Sequence, residues 1–165
     1  MSNNRRSIYP QAKPFMKDEV VPFLERPLIA KLCTHNEDGS IHVVPIWFKY
    51  EDGEILFGTQ ELTRKVRNIK RNAQVSVLID TQEPALQGVI LTGHADLDYE
   101  NVIPKRISIF EKYRGSENAP GLAERLASKW TPVIIRVKAD QIISFDYTKG
   151  FGISSNPDED STEIV

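Results

Sequence analysis

Apolar and polar positions alternate through most of the chain, and glycine-containing turns cut the alternation into short runs. Residues 28–35 form a β-compatible run closed by Asn36-Glu-Asp-Gly39. Residues 40–50 form a second, closed by Glu51-Asp-Gly53, and residues 54–59 a third. Asp-Gly between apolar runs is a strong hairpin signal, because glycine accepts the positive φ that tight turns demand. Two such turns in succession predict a β-meander.

The period then changes. Leu62, Val66, Ile69 and Ala73 recur at helical spacing, and Thr63 stands where a helix cap belongs. Strands are expected again at 74–80 and 88–98, helices at 102–113 and 121–130, and closing strands at 132–139 and 141–147. A further short helix fits residues 18–26, with Pro22 tolerated near its first turn. The pattern predicts a mainly β fold: a small antiparallel barrel of six or seven strands with a few short helices packed outside it. The first sixteen residues are polar and carry Pro10 and Pro14, so 1–16 reads as an arm. Residues 17–150 form the domain. Residues 151–165 form an acidic, apolar-poor tail that cannot offset the entropy of ordering.

Composition narrows the class without naming a task. At 165 residues the chain suits one domain with a self-sufficient core. A net charge of -2 argues against a surface built for nucleic acid. Cys33 is the single cysteine, so no internal disulfide forms, and a reducing cytoplasm is the expected location. The basic start is not followed by an apolar signal core, and no apolar run approaches the roughly 18 residues of a membrane span. No membrane association is expected.

Two stretches carry candidate chemistry. In residues 63–71, Arg64, Arg67, Asn68 and Arg71 share one helix face opposite Val66 and Ile69, with Lys65 on the flank. A helix start with a threonine, a lysine and an arginine suits a phosphate. The same stretch suits a solvated charged face equally well. In His42-Val-Val-Pro-Ile-Trp-Phe48, Pro45 marks an edge or interruption of a strand, and Trp47 points to the same side. That arrangement fits either a slot for a flat apolar group or an edge strand with a core tryptophan. His35, His42 and His94 lack metal-ligand spacing, so no metal site is expected. Cys33 reads as a packed thiol. Nucleotide-binding glycine motifs and a nucleophile elbow are both missing from the sequence.

The ordered set at 38–48, 52–59, 63–72, 75–80 and 88–95 resembles the FMN-binding split-barrel family. Those segments read DGSIHVVPIWF, DGEILFGT, TRKVRNIKRN, VSVLID and GVILTGHA. The family is that of pyridoxamine-phosphate-oxidase-like and deazaflavin-dependent reductases. The resemblance implies a Greek-key split barrel that binds FMN, or the deazaflavin F-420, and transfers hydride to a small organic substrate. It implies a phosphate site at Thr63, Arg64 and Lys65 with Arg67 close by, and a ring slot along Val44, Pro45, Ile46 and Trp47. Thr59 matches a further position near the cofactor. A homodimer with cofactor at the interface is expected, while a flavin- or haem-carrying module on the same barrel is the rival. The family relies on its cofactor for redox chemistry, so no acid–base residue is assigned. Residues 132–147 lead into an acidic tail rather than a Trp- and Arg-rich closing segment, so vitamin B6 oxidation is not expected.

Overall fold

The computed structural model describes residues 12–151. Their order is β1 (Ala12–Lys13), α1 (Val20–Glu25), β2 (Ala30–His35), β3 (Ile41–Ile46), β4 (Phe48–Glu51) and β5 (Glu54–Gln60). Then come α2 (Arg64–Arg71), β6 (Gln74–Thr81), β7 (Gln87–Asp98), α3 (Val102–Arg114), α4 (Ala119–Ala127) and β8 (Pro132–Phe151). The sheet runs β3-β2-β6-β7-β8-β5-β4, with β1 beside β8, and every pairing is antiparallel.

The two ends of that path are successive halves of one chain segment. The sequence pattern predicts a single strand over 40–50, and the structure breaks it at Trp47. Before the break β3 pairs with β2, Ala30 lying opposite Ile46. After it β4 pairs with β5, Phe48 lying opposite Phe57. A sheet whose end strands are one segment closes on itself, and the expected split barrel results. Pro45 offers no N–H to a ladder, which suits a segment about to exchange partners. The hairpin between β4 and β5 turns on Asp52 and Gly53, with φ of 51° and 84°, the paired positive values of a type I′ turn.

Alternation survives the break. Val44, Ile46, Phe48 and Tyr50 all pack toward the barrel interior, together with fully enclosed Leu32, Ile55, Phe57 and Val77. The barrel is therefore a packed core with no bore. Enclosing Phe48 or Phe57 contributes about 1.5–3 kcal/mol each. Outside the wall, Leu56 of β5 and Ile134 of β8 join Val102, Ile109 and Phe110 of α3 and Ala119 and Ala123 of α4 in a second apolar cluster. Trp47 belongs to this outer layer.

Three expectations need correction. The closing strands 132–139 and 141–147 are one strand, β8. Thr92 pairs with Gln141 and Gly93 with Ala139, so Asp140 is a bulge residue rather than a turn. Helix α4 starts and stops earlier than the expected 121–130, with Pro120 in its first turn, where a missing N–H costs nothing. Ala12 and Phe15 are buried, and Phe15 lies 4.9 Å from the ring of Phe23, so this part of the expected 1–16 arm packs with the barrel. The rest of that arm, residues 1–11, and the tail from 152 onward lie outside the described residues. Among those described, no helix is long and apolar enough to cross a membrane.

Candidate functional site

Helix α2 follows β5 after a short turn, and its start faces the outer wall of the barrel. Thr63 is expected to cap it, yet its hydroxyl donates to the Gln60 carbonyl at 2.9 Å, and no side chain caps the helix. The first-turn N–H groups of α2 are thus left without a side-chain acceptor, and a helix start in that state favours an anion. Lys65, in the first turn, is half-buried, and it has no ion-pair partner among the described residues. Burial pushes its ammonium below the ordinary lysine range.

Thr63 and Lys65 line a cavity of about 650 Å³ between the outer barrel wall and the α3–α4 hairpin. Pro45, Ile46 and Trp47 form one wall, and Thr59 another. The indole of Trp47 is held from behind: it stacks on Tyr113 at 4.8 Å with a 4° interplanar angle, and meets Phe110 edge-on at 5.7 Å. The Tyr113 hydroxyl donates to the Leu28 carbonyl at 2.7 Å and accepts from the Phe48 N–H at 3.1 Å. Burial pushes its pKa up to about 12, so it stays a neutral anchor.

Six of the nine residues expected at the site therefore share one cavity: Pro45, Ile46, Trp47, Thr59, Thr63 and Lys65. Val44 does not join them. It lies on the inward phase of β3 and packs against the core. Arg64 and Arg67 line a second cavity of about 700 Å³ on the other side of α2, with Asn36, Asp38, Ser40 and Arg71. Successive helical residues diverge by about 100°, so Arg64 and Lys65 face different spaces although adjacent in sequence.

The α3–α4 hairpin supplies lining that the sequence pattern does not reveal: Arg106, Phe110 and Arg114 from α3, and Leu122 and Leu126 from α4. The first three stand at i, i+4 and i+8, one face of a helix. That spacing was visible, but a charged stripe on a helix ordinarily faces water. Arg106 is instead 2% exposed, and its Nε and Nη1 have no hydrogen-bond partner among the described residues. His42, on β3, is pushed below its ordinary pKa by burial first, and then by the charges of Arg64 and Lys65.

The family model described as pyridoxamine 5'-phosphate oxidase matches residues 16–140. No curated protein matches the chain. Among solved structures, the conserved hypothetical protein Rv2991 from Mycobacterium tuberculosis superposes with a TM-score of 0.74 at 24% identity, covering 87% of this chain and 91% of that one. An F420 reductase gives 0.60 at 22% identity, over 73% and 93% of the two chains. The haem storage protein HutZ from Vibrio cholerae gives 0.61 at 20% identity, over 82% and 96%. Proteins named for different tasks share this barrel, so likeness at these identities speaks for the fold alone.

Proposed function

The chain belongs to the pyridoxamine 5'-phosphate oxidase family, and on that premise we propose that it is a flavin-type oxidoreductase, moving hydride between FMN, or the deazaflavin F-420, and a small organic substrate. The carrying observation is the convergence in one cavity of an anion-seeking helix start, Thr63 and Lys65, with the apolar strand Pro45–Trp47, more than a dozen residues away in sequence. A volume of about 650 Å³ suits a cofactor-sized ligand. The lining fits the group on its own chemistry: a desolvated ammonium and uncapped N–H groups for phosphate, and an indole backed by two aromatic rings for a flat ring system.

A bound flavin supplies the hydride chemistry. This chain's residues bind, orient and shield it. Lys65 and the first turn of α2 would hold the phosphate, Trp47, fixed by Tyr113, would offer an apolar wall to the ring, and Leu122 and Leu126 would keep water from the far wall. A second copy completes the reading. Ile41 and Val43 on the outer face of β3 are 53% and 54% exposed, an apolar strip running toward Pro45 at the cavity's edge. Such a strip suits a self-complementary interface.

Absorption spectra of the purified protein, alone and after adding FMN, F-420 or haem, test the cofactor. A flavin or deazaflavin spectrum that bleaches with NAD(P)H or another reductant and recovers with an electron acceptor is expected. A haem spectrum, or a flavin that binds without turning over, replaces the oxidoreductase with a carrier. Sedimentation at low micromolar concentration is expected to give a dimer, and a monomer that retains cofactor removes the shared site.

A further inference from the structure

Arg106 is a cation enclosed without a counter-charge among the described residues. It is 2% exposed, and Nε and Nη1 lack hydrogen-bond partners among the described residues. Burial pushes its pKa down, and no acidic neighbour opposes that shift. The Phe110 ring, 5.4 Å from Cζ, offsets only part of the loss of water. A guanidinium so placed costs stability unless something completes it.

The space for it is specific. Gly58, in the interior of β5, lies directly under the side chain, and a Cβ there would stand 3.1 Å from Arg106 Cγ. Glycine weakens a strand interior and commonly marks a close approach. Here the approaching group is the arginine stem. Arg106 and Gly58 both line the cavity that holds Thr63 and Lys65.

We propose that Arg106 is an oxyanion-binding residue of this cavity, and that a phosphate or carboxylate group of the ligand completes its buried charge. The proposal rests on the reading of the cavity as the ligand site, and not on which flavin occupies it. Two sources supply such a group: the phosphate of the flavin, or a carboxylate on the acceptor. An arginine is suited to either, because its planar set of donors matches both.

The test uses the full chain as wild type, Arg106→Met and Arg106→Lys, with FMN, riboflavin, inorganic phosphate and benzoate as probes. Methionine fills much of the same volume without charge, so the ligand-free Arg106→Met protein is expected to unfold at a higher temperature than wild type. Its oxyanion affinity is expected to fall at least about tenfold, with Arg106→Lys in between. If FMN is lost and riboflavin is not, the group received is the flavin phosphate. If both flavins bind normally while benzoate no longer binds the FMN-loaded protein, it is an acceptor carboxylate. Either result supports the proposal. Wild-type affinity of both variants for FMN and benzoate, with unchanged stabilisation by inorganic phosphate, overturns it. A wild-type protein that binds neither flavin, but is stabilised by phosphate only while Arg106 is present, sinks the flavin reading and leaves this one standing.

Discussion

Helix α2 separates two cavities that both contain cations and differ in almost everything else. On one side Lys65 shares a space with Trp47, Phe110, Leu122 and the enclosed Arg106. On the other, Arg64, Arg67 and Arg71 face Asn36, Asp38 and Ser40. In that second group Arg64 and Arg67 are exposed to water, and the groups behind them are satisfied within the chain. Arg71 donates to the His35 carbonyl at 2.6 Å, and buried Asn68 donates to Thr34 Oγ1 and Asn36 Oδ1, each at 3.0 Å. Asp38 is held below the usual carboxylate range chiefly by its hydrogen bonds from Ser40, with the Arg64 charge adding a little. The richer cluster of charge is therefore the quieter one. Cations that keep their water cost little and contribute little, whereas Lys65 and Arg106, desolvated beside an apolar wall, carry a cost that a bound anion would offset.

The comparison can be broken at several points. The largest expected effect is at the apolar wall: Trp47→Ala should cost about 2–4 kcal/mol of stability, read by urea denaturation, because it strips the partner from Tyr113 and Phe110. If the cavity serves catalysis, reduction of bound flavin in stopped flow should change as well; an unchanged rate at saturating cofactor points to a carrier. Next, Lys65→Ala should weaken FMN binding by about 1.5–3 kcal/mol in an equilibrium titration. Arg64→Ala and Arg67→Ala should each cost less than about 1 kcal/mol. Equal losses from all three would erase the distinction, and would place a ligand across α2 or bring a second chain into the site.

On the polar side, Asn68→Ala should remove about 1–2 kcal/mol of stability through its lost hydrogen bonds to Thr34 and Asn36 and from Arg71, with FMN affinity unaltered. The smallest effect near neutral pH concerns protonation of Lys65. Its lowered pKa means the ammonium is lost earlier on raising pH than in an ordinary lysine. Anion binding needs the charged form, so affinity should decline as pH climbs toward 10.5, the ordinary value. In Lys65→Arg that decline should be absent, and a decline of the same shape would assign the titration to another group.

The sequence carries the barrel better than the site. Asp-Gly turns, period-two runs and the shift to helical spacing at Leu62 are enough for the hairpins and the outer helices, since each is a local signal, whereas the pairings of β2 with β6 and β5 with β8 join distant strands. What the pattern missed depends on partners distant in sequence. A polar Asp140 inside an apolar run looks like a turn until β7 is present to accommodate it as a bulge. Thr63 has the right place and chemistry for a cap, but the nearby Gln60 carbonyl takes its hydroxyl. The family resemblance groups Arg64 with Lys65, whereas the helical spacing already sets Lys65 to the flank of the Arg64 face, and the structure sends them to different cavities. Arg106 was least legible, because a stripe of arginines on a helix face has the same spacing whether it meets water or a barrel wall. Only the packing of α3 against β5, and the absence of a side chain at Gly58, distinguishes the two cases.

The segment shared by β3 and β4 imposes a parity on the chain. Even-numbered residues from Val44 to Tyr50 pack toward the core, odd-numbered Pro45 and Trp47 line the cavity outside, and Ile46 at the break touches both. The barrel core and the site are thus two strands of code written on alternate letters of the same short word. Inserting one residue beside Trp47 would exchange the letters downstream, turning Phe48 out of the core and a charged Lys49 inward. Inserting two would restore the parity and merely lengthen the crossing between half-sheets. In such a segment a single inserted residue needs a bulge to absorb it, as Asp140 is absorbed in β8, or it moves the core and the cavity together.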